Sequence, residues 1–214
     1  MPLIIFLSIF FIGCKRENPQ QVRISKEIYL TFDDGPSKVT CDILSVLSSY
    51  NVKATFFVVG KCVEKNPQIL NSVHLGGHGI GIHSYSHEYK SIYKDIRSLG
   101  EDISYCENAI KRVIPNFKAR LYRFPGGSFN LRDELKNLPS SLNLRYFDWN
   151  ASVCDAEGIR YSPEELAQNA IKTSYGRNRI ILLCHDCGGK TNTALALPYI
   201  IEYFKNEGYI FKRL

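Results

Sequence analysis

Seven short apolar runs punctuate the chain, at residues 28–32, 52–59, 79–83, 121–124, 144–149, 180–184 and 209–213, and turn residues bound each one. Runs of this length predict buried strands. The stretches between them follow a helical period instead. The clearest carries Ile92, Ile96, Leu99, Ile103, Cys106, Ile110 and Val113, spaced by alternating fours and threes, which places one apolar stripe against a core. Ser162, Pro163 and Glu165 stand as an N-cap, a first helical position and a capping-box partner. A last helix carrying Leu197, Ile200, Ile201 and Phe204 is predicted to stop near Gly208, which suits a left-handed helix end.

Strands that alternate with helices imply parallel strands with helices packed outside them, and seven such units predict a closed or nearly closed β/α barrel. A chain of 214 residues, 44% hydrophobic, suits one well-buried core. One domain is predicted over residues 27–214, with no internal repeat or linker beyond residues 15–26.

Residues 1–13 are apolar and uncharged, then meet Cys14 and the polar "KRENPQQ". That run is short for a membrane span of about 20 residues and suits a signal-peptide core. Gly13-Cys14 resembles a bacterial lipoprotein cleavage site, although no Lys or Arg precedes the apolar run and Phe11 sits where Leu is usual. Residues 1–26 are therefore expected to be a leader and linker, with lipidation at Cys14 and export to the cell envelope. An uncleaved membrane anchor is the alternative.

The formal charge of +6 arises from 27 basic and 21 acidic residues, with no dense Lys/Arg run interleaved with aromatics, so no nucleic-acid partner is expected. Beyond Cys14 stand Cys41, Cys62, Cys106, Cys154, Cys184 and Cys187, an even number that permits disulfides outside the cytoplasm without choosing their pairing. Cys184 and Cys187 form one C-x-x-C, and the lack of a second argues against a four-thiolate zinc site.

The reactive residues follow the strands. After the first come Asp33 and Asp34 in "TFDDG"; after the third, His83 and His87 in "HSYSH"; after the fourth, Arg123 in "RFPGG". After the fifth come Trp149 and Asp155 in "DWNASVCDA", and after the sixth, His185 in "LLCHD". His74 and His78 have no comparable setting. Two imidazoles four residues apart can converge on one metal ion, with an aspartate oxygen as third ligand. In β/α barrels chemistry gathers where strands end and loops begin, so all these groups are expected around one mouth.

In that order the five segments resemble the motifs of the polysaccharide deacetylase family, the NodB-homology domain or carbohydrate esterase family 4, across about residues 27–214. The resemblance implies a distorted (β/α) barrel and metal-dependent removal of acetyl groups from polymeric sugars, most often N-acetylglucosamine units. It assigns Asp34, His83 and His87 to a metal, usually Zn2+, with Co2+ or Ni2+ as substitutes, and Asp33 to the general base. It makes His185 the acid that protonates the departing amine, Asp155 its partner, and Arg123 the residue that orients the base. Gly126 would supply an oxyanion N–H, while Trp149 and Leu183 would line the groove beside the acetyl methyl.

Three departures bear on substrate choice. Gly126 replaces an aromatic found in many members, Cys184 enters the leucine-leucine-histidine run, and Ala156 follows Asp155 where Trp is frequent. The expected partner is an acetylated polysaccharide, peptidoglycan or a chitin-like oligosaccharide. An O-acetyl esterase acting on xylan or another wall glycan, and a catalytically silent glycan-binding lipoprotein, are the competing readings.

Overall fold

The computed structural model describes residues 25–214. Cys14 and the apolar run 1–13 lie outside the described residues, and no helix among the described residues is long and apolar enough to cross a membrane.

In chain order the elements are β1 (Glu27–Asp33), α1 (Lys38–Ser49), β2 (Thr55–Val59), α2 (Gly60–Lys65), α3 (Pro67–Leu75), β3 (Gly79–Ser84), α4 (Tyr89–Ile92), α5 (Ile96–Val113), β4 (Leu121–Tyr122), α6 (Asp133–Ser141), β5 (Arg145–Tyr146), β6 (Ala151–Ser152), α7 (Pro163–Ser174), β7 (Arg179–His185), α8 (Thr191–Asn206) and β8 (Ile210–Lys212). Every ladder is parallel. Seven strands run in the order β5-β4-β3-β2-β1-β7-β6, curled into a distorted β/α barrel, and β8 pairs with the half of β1 that β2 leaves free.

The alternation of side chains across this curled sheet separates two cores. Ile28, Leu30 and Phe32 of β1 and Ile180, Leu182 and Cys184 of β7 face outward into a large apolar cluster. Ile43 and Leu47 of α1, Leu99, Ile103 and Ile110 of α5, and Leu197, Ile200, Ile201 and Phe204 of α8 complete that cluster. Inside the barrel, Tyr29, Phe57, Phe147 and Ile181 form a second small cluster with Leu121, Trp149 and Leu214 packed on it. Gly81 lets Phe57 fill that interior, because a Cβ there would lie 2.5 Å from the Phe57 ring.

The barrel is not closed by a ladder between its edges, β5 and β6. Residues 147–150 span the gap instead: Phe147 N–H donates to Tyr122 O at 2.9 Å, and Asn150 N–H donates to Ile181 O at 3.2 Å. The Asn150 side chain extends the imitation of a strand, donating to Arg179 O at 2.9 Å and accepting from Ile181 N–H at 2.8 Å.

Several predicted elements shift. The run 144–149 forms only the two-residue β5, because its second half leaves the sheet to bridge the gap. β6, two residues within "DWNASVCDA", carries no apolar run long enough to announce itself. The helix predicted from Ile92 onward is split: α4 ends at Ile92 and α5 starts anew, with the Asp95 carboxylate accepting from Ser98 N–H at 2.8 Å as its N-cap. The Ser162 capping box is present as expected at the start of α7. All six cysteines of the described residues are free thiols. Cys184 points outward into the helix-covered core, and burial pushes the Cys187 thiol up to about 12.

Candidate active site

Asp33 closes β1, and its side chain faces the barrel interior almost fully buried. Its Oδ1 accepts from Arg123 Nη1 at 2.9 Å, and its Oδ2 lies 3.9 Å from His83 Nε2. The next residue leaves the strand. Asp34 adopts φ = 76°, a left-handed conformation that Asp tolerates better than most residues, and this turns its carboxylate away from Asp33 toward the histidines. Adjacent acids are thereby given separate partners.

Asp34, His83 and His87 offer ligand atoms that all lie within 4.8 Å of one another. Asp34 Oδ1 is 3.4 Å from His83 Nε2 and 3.1 Å from His87 Nε2, close to the edge of about 3.4 Å in a tetrahedral site with bonds near 2.1 Å. His83 Nδ1 lies 2.9 Å from Arg123 O, which can only accept, so Nδ1 carries the proton and Nε2 turns a lone pair toward Asp34. The buried Asp34 Oδ1 makes no hydrogen bond of acceptable geometry. Lone pairs that converge on an unsatisfied carboxylate oxygen require positive charge between them, and a divalent cation fits this donor set.

Burial would raise the Asp34 pKa, but the neighbouring His83 and His87 imidazoles outweigh it and hold the carboxyl well below its ordinary range. The adjacent Asp34 carboxylate lifts His87 above its ordinary value, against the opposing effect of burial.

The loop that carries the histidines is fixed from behind by Asp102 of α5, a residue absent from the sequence-derived site. Its carboxylate accepts from Ser84 Oγ at 2.7 Å, Tyr85 N–H at 2.9 Å, Ser86 N–H at 3.1 Å and Ser86 Oγ at 3.0 Å. His87 takes φ = 58° within that clamp, and its N–H donates to Ser84 Oγ at 2.8 Å. Asp102 stands on the same helix face as Leu99, Ile103 and Cys106, so an acid within an otherwise buried stripe was the available signal.

On the other flank, Asp155 Oδ1 lies 2.7 Å from His185 Nδ1. Asp155 Oδ2 accepts from His185 N–H at 2.9 Å and Thr193 Oγ1 at 2.8 Å, and Lys190 Nζ donates to the Asp155 carbonyl. Burial would lower the His185 pKa; the Asp155 hydrogen bond and the charges of Asp155, Asp33 and Asp34 overcome that and raise it.

Arg123 is completely buried and joins the two halves of the barrel. Besides Asp33, it donates to Thr31 Oγ1 at 2.8 Å, Phe147 O at 2.8 Å and Asp148 O at 3.3 Å. Its guanidinium lies 4.3 Å from the Phe57 ring centroid. Gly126, at φ = 75°, leaves its N–H without an acceptor among the described residues, whereas Gly127 N–H donates to Phe124 O at 2.8 Å. Leu183 lies two residues below His185 on the strand face that also carries Ile181, and Trp149 packs against the interior cluster. Asp148 ties its own segment to the glycine turn by accepting from Ser128 N–H at 3.0 Å. The structure thus brings together Asp33, Asp34, His83, His87, Arg123, Asp155 and His185, with Gly126, Trp149 and Leu183 in the surrounding loops and wall.

The polysaccharide deacetylase family model matches residues 20–147. The chain belongs to that family. As a member it is a hydrolase acting on acetylated polysaccharides. It is 30% identical over 195 residues to a peptidoglycan-N-acetylglucosamine deacetylase of Bacillus cereus, covering 87% of this chain and 68% of that protein. Among solved structures it resembles a Streptococcus mutans CE4 esterase, with a TM-score of 0.84, 33% identity and coverage of 89% of this chain and 86% of that one. It also resembles the catalytic domain of a peptidoglycan N-acetylglucosamine deacetylase from Eubacterium rectale, with a TM-score of 0.81, 35% identity and coverage of 95% and 93%. The family membership bears out the distorted β/α barrel and the deacetylase resemblance read from the five motifs.

Proposed function

We propose that the chain removes the N-acetyl group from N-acetylglucosamine residues of peptidoglycan and releases acetate, using Zn2+ or a comparable divalent ion such as Co2+ or Ni2+. The observation that carries this reading is one pocket in which the Asp34–His83–His87 triad adjoins two separately tethered groups, Asp33 on Arg123 and His185 on Asp155. The peptidoglycan deacetylase activities of the Bacillus cereus and Eubacterium rectale relatives support peptidoglycan as the polymer. The apolar run 1–13 and Gly13-Cys14 support export and lipid attachment in the cell envelope.

Asp34, His83 and His87 would hold a divalent ion, which would supply Lewis acidity toward water and the acetyl carbonyl. Asp33 is the base. Its Oδ1 is committed to Arg123, which leaves Oδ2 on the side of His83 to accept a proton from the attacking water. The unpaired Gly126 N–H is the donor for negative charge that develops on the carbonyl oxygen. His185, oriented through Nδ1, presents Nε2 to protonate the amine as the carbon–nitrogen bond breaks, since an unprotonated nitrogen leaves poorly. Leu183 and Trp149 exclude water beside the methyl group.

Incubation of the soluble domain with Zn2+ and either peptidoglycan or N-acetylated chitooligosaccharides should release acetate; chelation should stop it, and metal should restore it. No acetate from any of these polymers would refute the reading. Similarity to a bifunctional xylanase/deacetylase of Pseudobutyrivibrio xylanivorans favours O-acetyl hydrolysis on xylan or another wall glycan as the second reading, and paired N- and O-acetylated substrates separate the two. A silent glycan-binding role would require a missing reactive side chain, and the chain carries Asp33, Asp34, His83, His87 and His185.

A further inference from the structure

Two large aromatic side chains remain exposed beside the reaction centre without a role. Tyr89 is 47% exposed and Phe129 is 60% exposed. Neither is a loose surface residue. The Tyr89 ring meets His87 edge-on at 5.3 Å and Tyr93 edge-on at 6.0 Å, and Tyr93 is itself anchored by its hydroxyl to Pro125 O at 2.8 Å. Phe129 meets Trp149 edge-on at 5.5 Å.

Both rings close on the Gly126–Gly127 turn. A Cβ at Gly126 would lie 2.8 Å from Tyr89 Cε1 and 3.1 Å from its hydroxyl oxygen. One at Gly127 would lie 2.6 Å from Phe129 Cε2 and 3.1 Å from Trp149 Cη2. The turn is bare backbone because one aromatic covers each glycine, and both glycines occupy left-handed conformations, at φ = 75° and 83°. The space that a side chain at position 126 would fill is occupied from α4 instead. Preorganised, solvent-facing rings beside the reaction centre suit the C–H-rich faces of pyranose units, which are attracted to the electron-rich faces of aromatics.

We propose that Tyr89 and Phe129 are the sugar-binding walls of this site, stacking on pyranose rings at and next to the acetylated unit, with the Gly126–Gly127 backbone as the floor between them. This rests on the deacetylase reading of the same pocket. The rings select polymer over a bare acetyl group, and they act on binding more than on the chemical step.

The test compares wild type with Tyr89→Ala, Phe129→Ala and Tyr89→Phe in kinetics of acetate release from penta-N-acetylchitopentaose, together with bound zinc. Each alanine variant should raise KM about tenfold while kcat stays within about twofold, the scale of one lost aromatic contact. Tyr89→Phe should resemble wild type, zinc should remain bound in all, and hydrolysis of a sugar-free acetyl ester should be unchanged. An unaltered KM in both alanine variants would overturn the proposal. So would loss of zinc in Tyr89→Ala, because Tyr89 would then act through His87. Calorimetric titration of the same oligosaccharide into Asp33→Asn, with and without Tyr89→Ala, separates the two readings. Weakened binding on removing Tyr89 upholds the walls even if wild type releases no acetate, and equal or absent binding rejects them.

Discussion

Asp33 and His185 are register partners on the adjacent parallel strands β1 and β7. Paired residues in a parallel ladder project from the same face, so base and acid enter the barrel side by side, each gripped by a different partner. Asp33→Asn keeps the shape and the oxygen that faces Arg123 but removes the proton acceptor. Acetate release should fall by about 10²- to 10⁴-fold, the usual contribution of a general base. Bound zinc, measured by elemental analysis, should not change; its loss would transfer Asp33 to the metal's ligand set.

The Asp155–His185 pair predicts a pH effect with a definite sign. Burial opposes the charged imidazole, and Asp155 more than compensates, so the folded pKa lies above the ordinary 6.5. His185 must be protonated to act as acid, so the alkaline limb of the kcat profile should move to lower pH in Asp155→Asn. Stability follows the same linkage. The contribution is complete below about 6.5 and is lost as pH rises through the higher folded value. Metal-free wild type should therefore exceed Asp155→Asn in melting temperature by more at pH 6 than at pH 9.

Long buried parallel strands read clearly from sequence because both faces are apolar; β1 and β7, seven residues each, are the examples. Their ends expose Asp33 and His185 as polar residues that abruptly follow such runs. β6 and the shortened β5 left no equivalent trace, since two-residue pairings are decided by the chain that crosses the barrel gap. Tyr89 and Phe129 were silent for a related reason: their meaning depends on which glycines they cover. Asp102 was legible in principle, as the one acid on the buried face of α5.

Asp102 makes a sharper prediction than its distance from the chemistry suggests. Four hydrogen bonds from the 84–86 segment end on its carboxylate. Asp102→Ala would leave those donors unmatched and let the His83–His87 loop relax. Metal affinity should fall about 10- to 100-fold, the usual cost of losing an outer-shell partner. Competition with a chromogenic chelator measures this directly, and an unchanged affinity would reduce Asp102 to a folding role.

Arg123 carries the last prediction because it serves the site and the fold through one buried guanidinium. Its planar fork reaches Thr31, Asp33, Phe147 and Asp148 together, which holds the bridging segment 147–150 against β1. Arg123→Lys retains the charge but cannot span those acceptors, so kcat should drop and the protein should unfold at lower denaturant. Arg123→Met removes the charge as well and strands Asp33, at a cost of about 3–5 kcal/mol for a broken buried pair. In the Asp33→Asn background no stranded carboxylate remains, so the same substitution should cost measurably less. Equal losses in both backgrounds, read from urea denaturation of the metal-free proteins, would show that Arg123 holds the barrel gap alone and contributes nothing to orienting the base.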